Sequence, residues 1–462
     1  MSTKTLQGRQ RPVAVPALGN YTILNSEAST GLLDLFDTQK VETAVINSAT
    51  LVDYSPLQAI ANASSTSPVI FHCPADVNKM QWTIPGLCRL TGKFRIVKKD
   101  GTAIAAEAKV APIDFSPVAL FKDLQITLNG VLLSDSFGSN QAYSEILSLL
   151  CSFNDKALQQ NFAGYLPFPD TASKCDLTTD DNTGFKARKE LFAESAERSF
   201  DIAIPHDLFK SSRLFHPSMD LRLRFELNND AFMLHQATTD TEQYRLQLTD
   251  LKLHLYKIQL HPTVASSIFE KLNKGQQMHH SYLSTTLKTF PLAVGGSSFY
   301  IPEVLISKPS SILICMLEQS RYFGSRKQTP FKFSRFDLRQ LNLFLNNNKM
   351  LDASFDFSSS DEDNTMREAY RQFQAEMAFE DVNTVNAISF ESFKSSNFLM
   401  YRDLSVSKSV NYMPELLTLS GSISLELLFN SPLSSAITVL VFATYHTSLS
   451  IDKEMQSTVQ KF

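Results

Sequence analysis

Histidine side chains are the residues of this sequence that could most readily bind a metal ion or transfer protons. The chain has nine histidines, and none shows the HxxxH or HExxH spacing that places two metal ligands on one helix face. His279 and His280 are adjacent in a polar segment, where we expect a solvated pair. His254 falls within an alternating strand pattern, which predicts a polar-face residue. The histidine pattern therefore predicts no metal site.

Two acidic segments could also bind a cation, but their spacing favours simpler roles. Residues 176–184 read DLTTDDNTG and lack the alternating oxygen ligands and terminal Glu of an EF-hand loop, so we expect a solvated surface loop. Residues 358–364 read SSSDEDN and precede a helical pattern. Negative charge at that position would cap the helix and interact favourably with its dipole.

Motifs for phosphate binding and nucleophilic catalysis are absent from the sequence. The chain contains neither GxxxxGKS/T nor GxGxxG. Residues 295–298 read Gly-Gly-Ser-Ser, which lacks the GxSxG nucleophile elbow and predicts a turn. We therefore assign no catalytic, cofactor-binding or metal-binding residue, and we expect no cofactor and no small-molecule substrate. The protein is predicted not to be an enzyme.

The cysteines predict buried thiols. Their number is odd, they lie far apart, and no two form a CxxC pair, which argues against a disulfide scaffold or a zinc site. They are Cys73, Cys88, Cys151, Cys175 and Cys315.

The composition is that of a globular protein. Of 462 residues, 43% are apolar and 19% are charged, which excludes a disordered chain. The formal net charge of -4 gives no global basic surface for nucleic acid. Phe is abundant, with 34 residues against a single Trp, which suits many short strands that pack face to face.

Strands that alternate apolar and polar residues dominate the chain, as expected for half-buried antiparallel sheets. These runs span residues 91–98, 199–204, 220–228, 248–260, 423–430 and 436–445. Helical patterns are fewer and cover residues 141–162, 264–274 and 361–379. The predicted fold is therefore all-β, with a few short helices in the loops between strands.

One pattern occurs twice. Residues 121–137 read FKDLQITLNGVLLSDSF, and residues 338–355 read LRQLNLFLNNNKMLDASF. Both predict a hairpin, with Leu-Asn-Gly in the first copy and Leu-Asn-Asn in the second. A helix with Ala-Tyr, a strand that ends at Asn and a long alternating strand follow in each half. The preserved order of these elements indicates a duplicated domain.

The duplication predicts two similar β domains, each with roughly eight strands at the spacing of a sandwich or jelly roll. We predict an N-terminal arm at residues 1–32, a first jelly roll at 33–262, a second at 263–451 and a C-terminal tail at 452–462.

The N-terminal arm is basic. It carries Lys4, Arg9 and Arg11, and no acidic residue precedes Glu27. Disorder alone accounts for such an arm, and contact with nucleic acid is the alternative. The arm lacks the apolar region of a secretion signal, so the protein is predicted not to be secreted. Apolar runs elsewhere are strand-length, so no transmembrane segment is predicted.

Short motifs follow one another in a fixed order along the chain. They are LDLF at 33–36, Thr43 and Val45, Tyr54 and Pro56, Pro112, Leu120-Phe121, Leu128-Asn129-Gly130, Ala142-Tyr143, Asn182 to Phe185 with Arg188, and the closing strand pair at 422–454. In number and order these motifs resemble the major capsid proteins of Polinton (Maverick) elements and adintoviruses, within the double jelly-roll lineage of virus capsids. The resemblance covers residues 31–454.

The resemblance implies a structural virion protein. Two tandem eight-stranded jelly rolls would form a homotrimer, a pseudo-hexameric capsomer or hexon that tiles an icosahedral shell around double-stranded DNA. Implied partners are neighbouring capsomers, penton proteins with a single jelly roll, other minor capsid proteins and, for Lys4, Arg9 and Arg11, the genome. The protein would reside in the virion after assembly in the host nucleus or cytoplasm. Residues 165–198 would form part of an outer tower or an intersubunit clasp.

Two alternatives remain open at this point. Two jelly rolls could bind carbohydrate or process glycans, but that function needs aromatic platforms and paired carboxylates. Trp82 is the single Trp, and the sequence shows no clear carboxylate pair. A minor capsid protein is the other alternative, although one jelly roll would suffice for a vertex protein.

Overall fold

A computed structural model describes most of the chain. The described residues are 50–60, 67–76, 80–133, 140–171, 181–211, 213–237, 239–307, 309–350, 354–357, 362–377, 386–404 and 420–461. The N-terminal arm with Lys4, Arg9 and Arg11 lies outside them, as do the motifs at residues 33–45.

The first half of the chain forms two main antiparallel sheets. Its strands are β1 (Thr50–Tyr54), β2 (Val69–Cys73), β3 (Gln81–Thr83), β4 (Arg89–Lys98), β5 (Val110–Pro112), β6 (Phe121–Leu128), β7 (Val131–Leu132), β8 (Arg198–Ala203), β9 (Leu221–Leu227), β10 (Leu234–Gln236) and β11 (Tyr244–Gln259). One sheet has the order β1-β11-β4-β8, with β3 also paired to β11, and the other has the order β2-β9-β6-β7. A separate ladder joins β5 and β10.

The second half repeats this arrangement. Its strands are β12 (Met278–Leu292), β13 (Ser298–Ser307), β14 (Ser311–Glu318), β15 (Leu338–Leu345), β16 (Asn348–Lys349), β17 (Phe355–Asp356), β18 (Leu399–Asp403), β19 (Ser420–Phe429), β20 (Ile437–Ile451) and β21 (Ser457–Lys461). One sheet has the order β12-β20-β14-β18, and the other has the order β13-β19-β15-β16. Strand β21 adds to β20, and β17 adds to β15.

Short helices occupy the connections. They are α1 (Ser116–Ala119), α2 (Ala142–Ser152), α3 (Asp155–Asn161), α4 (Thr183–Leu191), α5 (Asp230–Met233), α6 (Pro262–Asn273), α7 (Gln319–Phe323), α8 (Glu362–Met377) and α9 (Phe390–Ser395). Helix α6 connects the two halves.

The two halves have the same strand topology. The eight main strands of the first half are β1, β2, β4, β6, β7, β8, β9 and β11, and those of the second half are β12, β13, β14, β15, β16, β18, β19 and β20. Numbered one to eight along each half, they give sheets of order 1-8-3-6 and 2-7-4-5 in both cases. Two four-stranded antiparallel sheets connected in this way form a jelly roll. The predicted all-β fold of two tandem jelly rolls is confirmed.

Alternation in the strands explains how each sheet buries one face. In β9, Leu221, Leu223, Phe225 and Leu227 are buried, and the polar residues between them are exposed or half-buried. The Phe225 ring contacts Phe71 of β2, with centroids 5.9 Å apart. A fully buried side chain of this kind stabilises the fold by about 1.5–3 kcal/mol. The interiors of the two halves join in one continuous apolar cluster.

All six predicted strands and the turn at residues 295–298 are confirmed, and two of the three predicted helices are α6 and α8. The single helix predicted over residues 141–162 is wrong, because the structure has two helices there, α2 and α3. Asn154 is extended, and its side chain accepts the N–H of Ala157 at 2.8 Å. It therefore caps a new helix and ends the preceding one. Helix α4 has no counterpart among the predicted helices.

The duplicated hairpins are equivalent in atomic detail. Asn129 and Gly130 join β6 to β7 with φ of 49° and 83°, and Asn346 and Asn347 join β15 to β16 with φ of 50° and 65°. Positive φ at both central residues is typical of a type I′ turn. Asn129 Oδ1 accepts the N–H of Asp220 at 2.8 Å, where the chain enters strand seven of the first half.

The second hairpin repeats this contact on strand seven of its own half. Asn346 Oδ1 accepts the N–H of Ser422 at 3.1 Å. The backbone N–H of each Asn donates in return, Asn129 to Asp220 O at 2.9 Å and Asn346 to Ser422 O at 3.0 Å. Both halves therefore fix the hairpin by the same pair of hydrogen bonds.

This equivalence predicts which substitutions Gly130 tolerates. A Cβ at Gly130 meets no atom within 4 Å, so only the backbone conformation restricts the residue. Gly130→Val should lower the free energy of unfolding by about 1–2 kcal/mol, because a β-branched residue is strained at positive φ. Gly130→Asn should cost much less, because Asn347 occupies the equivalent position. Urea denaturation of both variants tests this, and an equal loss for Asn and Val would contradict it.

Candidate assembly surfaces and the contact between the two halves

The groups that could do chemistry are dispersed. Within the ranges that the structure covers, no group of three or more His, Cys, Asp and Glu side chains is placed to hold a metal ion. Burial raises the pKa of the thiols of Cys73, Cys88 and Cys151 to about 12. Thiols in such surroundings stay protonated and unreactive at neutral pH. The prediction of free, buried thiols is confirmed for these three and for Cys315, and Cys175 lies outside the described residues.

The two adjacent histidines have different surroundings. His279 is exposed, and its Nδ1 lies 2.9 Å from the hydroxyl of Ser450. His280 is only 2% exposed, and its ring lies 5.4 Å from that of Phe215. The expectation of a solvated pair is therefore wrong for His280. Both residues lie on β12, and successive side chains of a strand point to opposite faces, so one of the two faces the interior.

The prediction that His254 lies on the polar face of its strand is confirmed. Its Nε2 lies 2.6 Å from the hydroxyl of Thr91, and its Nδ1 lies 2.7 Å from Asp53 Oδ1.

The described parts of the two acidic segments lie at helix N-termini. Asn182 Oδ1 accepts the N–H of Phe185 at 3.2 Å and so caps α4. Asn182 is 1% exposed and Gly184 is buried, so the solvated-loop prediction is wrong for this end of residues 176–184. Residues 172–180 and 358–361 lie outside the described residues. Asp363 lies in the first turn of α8, as predicted, and binds Lys394 at 2.6 Å.

A buried charged cluster joins the loop at residues 165–171 and helix α4 to the first jelly roll. Arg188, 1% exposed, donates from Nε to Pro112 O at 2.8 Å, from Nη1 to Phe168 O and from Nη2 to Asp170 Oδ1 at 2.6 Å. Asn182 donates to the same Asp170 oxygen at 2.9 Å. We call Asp114, Asp170, Asn182 and Arg188 the Arg188 cluster.

Asp114 of the first jelly roll is the fourth member of the cluster. Its Oδ1 accepts the backbone N–H of Phe168 at 2.7 Å and that of Phe115 at 2.9 Å. Burial raises the pKa of Asp114 to about 7, and the Arg188 guanidinium opposes that rise. A Cβ at Gly184 would stand 2.2 Å from Pro169 O, so only glycine allows this close approach. The cluster thus fixes the described part of residues 165–198 against β5.

Aromatic side chains hold the two halves together. Tyr143 of α2 is fully buried, and its ring lies 5.9 Å from Phe232 of the first half. On the other side it meets three rings of the second half, those of Tyr322 at 5.9 Å, Phe331 at 5.4 Å and Phe333 at 6.2 Å. We call this contact region between the two halves the seam.

Polar groups continue the seam on either side of these rings. Arg326 donates to Gln236 Oε1 at 2.7 Å and to Tyr244 O at 2.9 Å, and its own carbonyl accepts the N–H of Gln236 at 2.7 Å. Asn129 of the first hairpin donates to Met455 O at 2.9 Å. The seam is therefore specified by directional bonds as well as by apolar burial.

A cavity of about 70 Å³ lies between the halves beside the seam. Lys210 ends there between Glu145 at 3.3 Å and Asp207 at 3.1 Å. Burial lowers the pKa of Lys210, but the two carboxylates raise it by more than burial lowers it. The net shift of the pKa is therefore upward. Asp207 Oδ2 also accepts the backbone N–H of Thr285 in β12 at 3.1 Å. Asp207 therefore links the two halves, whereas Lys210 and Glu145 both belong to the first half.

Several large apolar side chains face solvent at strand edges and in loops. They are Leu51, Leu57, Leu132, Leu283, Val294, Tyr300, Ile306 and Phe323. Ile306 is the most exposed, at 86%, and lies with Tyr300 on β13, at the edge of its sheet. Single exposed apolar side chains are common on protein surfaces, so the pair on one edge strand, Tyr300 and Ile306, makes the candidate contact surface with another protein molecule.

The edge strand β13 has features that hinder the pairing of a strand from another molecule. Its register with β19 shifts between Ile301 and Leu305, where Pro302 lacks an N–H and Glu303 has φ of 50°. A bulge and a proline disrupt the row of free backbone groups that another strand would need. The surface therefore offers side chains for docking more than it offers a template for an added strand.

Comparisons with solved structures identify the class of fold. No protein-family model matches the chain, and no curated protein sequence matches it. A chain in the 3.5 Å cryo-EM structure of the Sputnik virophage has 13% identity and a TM-score of 0.57, and the alignment covers 100% of this chain and 95% of that chain. The second structure is the crystal structure of PBCV-1 VP54, which was fitted into a cryo-EM reconstruction of Sputnik. It has 9% identity and a TM-score of 0.53, and the alignment covers 91% of this chain and 98% of that chain.

Each alignment spans at least 91% of both chains, so the whole of this chain, with both of its jelly rolls, matches the fold of a viral protein. The fold of this chain is therefore the double jelly roll. At sequence identities of 13% and 9%, the structural similarity shows the fold alone. Among the described residues, no helix combines the length and the apolar character needed to cross a bilayer.

The Arg188 cluster generates a stability prediction. Arg188→Gln would leave Asp170 buried without its cation, and loss of one partner from a buried ion pair costs about 3–5 kcal/mol. We expect a lower melting temperature and faster proteolysis within residues 165–198. Lys186→Gln is the matched control, because Lys186 lies on the same helix but is exposed. Equal melting temperatures for the two variants would show that the cluster contributes no net stability.

Proposed function

We propose that this protein is a major capsid protein that builds the shell of a virus-like particle. The observation that carries the proposal is the pair of jelly rolls of identical strand order in one chain. The full-length structural alignment with a chain of the Sputnik virophage supports it. The chain's two halves share one interior and meet at a specific seam, as expected for a single rigid building block.

Two similar jelly rolls in one chain would support assembly as a trimer. Three copies around a threefold axis would present six similar barrels and so a nearly hexagonal outline. A cyclic trimer needs heterologous contacts, in which one surface of a subunit meets a different surface of its neighbour. Two similar but unequal jelly rolls supply two such surfaces. This pseudo-hexameric capsomer would tile an icosahedral shell around double-stranded DNA.

The exposed apolar side chains supply candidate contacts between copies. Ile306 and Tyr300 at the edge of β13, and Leu132 at the edge of the sheet that contains β7, face solvent in the single chain. Burial of such groups would hold a trimer, while more polar contacts between capsomers would let the shell assemble reversibly.

The finer assignments rest on the sequence motifs. Their order from residue 31 to residue 454 supports the lineage of Polinton (Maverick) elements and adintoviruses. We propose the domain limits 33–262 and 263–451 for the two jelly rolls, with an N-terminal arm at 1–32 and a tail at 452–462. Partners would be neighbouring capsomers, penton proteins and other minor capsid proteins. The protein would be found in the virion after assembly in the nucleus or cytoplasm.

The mass of the particle in solution tests the proposal. The purified chain should elute as a species of three times its mass of 51.8 kDa by light scattering, or as closed shells. Negative-stain micrographs of the same peak should show hexagonal outlines. A monodisperse monomer at all concentrations would overturn the proposal, and the chain should then be screened against glycans.

The basic arm gives a second test. Deletion of residues 1–30 should leave the trimer intact and impair shell closure or nucleic-acid packaging, because the jelly rolls lie outside the deleted segment. Replacement of Lys4, Arg9 and Arg11 by Gln in the full chain separates charge from length. If the deletion dissolves the trimer, the arm belongs to the capsomer contact and not to the shell interior.

A further inference from the structure

Three histidines lie where the first jelly roll meets the connector helix and the second jelly roll. The His216 ring lies 4.9 Å from that of Trp82 and 4.7 Å from that of Phe269 on α6. His280 of β12 packs on Phe215 of the first half. His206 lies 6.3 Å from Tyr282 of β12. Each imidazole therefore touches residues from both sides of a contact between parts of the chain.

The hydrogen bonds of these rings require the neutral form. His216 Nδ1 accepts the N–H of Ser218 at 3.1 Å, and His206 Nδ1 accepts the N–H of Leu208 at 3.1 Å. An acceptor nitrogen must keep its lone pair, so a proton placed there would face an N–H and break the bond. His280 Nδ1 and His216 Nε2 are buried without a hydrogen-bond partner among the described residues. A charge on either ring would therefore be poorly compensated.

The surroundings act in the same direction for the two most buried rings. His216 and His280 are each 2% exposed, and burial lowers the pKa of both to about 4. The charge of Arg213, and that of His279 when it is protonated, lower the pKa of His280 further. Trp82 and Phe269 pack against His216 with apolar surface, and Cys73, Asp76 and Lys257 line the small cavity beside it.

His206 has a more mixed environment. Burial lowers the pKa of His206, Lys210 lowers it too, and Asp207 opposes them. Glu145, which binds Lys210, and Tyr282 line the same cavity. The ring is half-buried, so solvent weakens its contribution relative to those of His216 and His280.

We propose that these histidines make the contacts of the first jelly roll with helix α6 and with the second jelly roll acid-sensitive, so that these contacts hold while the rings are neutral and loosen when they are protonated. The opened state exposes the rings to water and removes the unpaired buried charges. The proposal concerns contacts within one chain, so it does not depend on capsid assembly.

The direction and the pH range follow from linkage. A histidine released to water titrates near pH 6.5, whereas burial lowers the pKa of His216 and His280 to about 4. The opened state therefore binds protons first as pH falls. The opening equilibrium should rise by up to about tenfold per pH unit for each histidine between these values, and it should be flat above about pH 7.

Buried carboxylates elsewhere act in the opposite direction. Burial raises the pKa of Asp114 to about 7 and that of Asp123 to about 6. Such groups take up a proton more readily in the folded state and stabilise it as pH falls. Global stability thus sums opposing effects, and the test must report on the histidines themselves.

Trp82 provides that report, because it is the single Trp of the chain and touches His216. Its fluorescence should change between pH 6.5 and pH 4 in the wild type. The double variant His216→Asn/His280→Asn should lose that change, since Asn cannot be protonated and its Oδ1 can accept the Ser218 N–H. His446→Asn, which replaces an exposed histidine on the neighbouring strand β20, should titrate like the wild type.

Hydrogen exchange of β12 and α6 amides separates opening from simple quenching of the Trp by a charged imidazole. After correction for the pH dependence of chemical exchange, these amides should exchange at least tenfold faster at pH 5 than at pH 7 in the wild type and not in the double variant. An unchanged transition in the double variant would overturn the proposal.

A second measurement protects the test against a variant that does not fold. Proton NMR titration of the wild-type histidines gives their pKa values directly. Values near 6.5 for His216 and His280, without faster exchange at low pH, would also overturn the proposal.

Discussion

Burial of the Tyr143 side chain requires both halves of the chain. Its ring is fully buried, with one aromatic neighbour from the first jelly roll and three from the second. Because the shared apolar cluster runs through this point, neither jelly roll completes its interior alone. The polar contacts around it, from Arg326 to Asp207, then fix one orientation out of the many that apolar burial would allow.

Strand alternation and turn chemistry are local, and the features that depend on them could be predicted from the sequence. The hairpins at Asn129 and Asn346 are examples, since their type I′ turns follow from two residues each. The helix break at Asn154 was equally local, because Asn is a strong cap, but the apolar periodicity on either side concealed it.

Features that depend on distant contacts could not be predicted in this way. Arg188 binds a carbonyl 76 positions away, and no local pattern encodes that partner. His280 looked solvated beside His279, since the polar segment gave no sign of which strand face would be covered. The seam depends on which residues meet after both jelly rolls have formed, so period and spacing did not reveal Tyr143 as its centre.

The two halves show which properties a jelly roll must keep as its sequence changes. Gly130 and Asn347 differ but occupy the same left-handed turn position, and both hairpins are held by an Asn bonded to strand seven. The small number of residues that the fold requires also explains a full-length structural alignment at 13% identity. Apolar alternation and a few turn residues specify the topology, and many sequences satisfy them.

The hydrogen bond from Asn129 to Met455 joins residues 326 positions apart, and this separation has a consequence for biosynthesis. Domains fold as they emerge from the ribosome, at about 5–20 residues per second. The first jelly roll therefore waits for tens of seconds with the Tyr143 face uncovered while its partner is translated. During that interval the nascent chain exposes the aromatic surface that the finished chain conceals. Translation is thus a stage at which the aromatic rings of the seam can contact other chains.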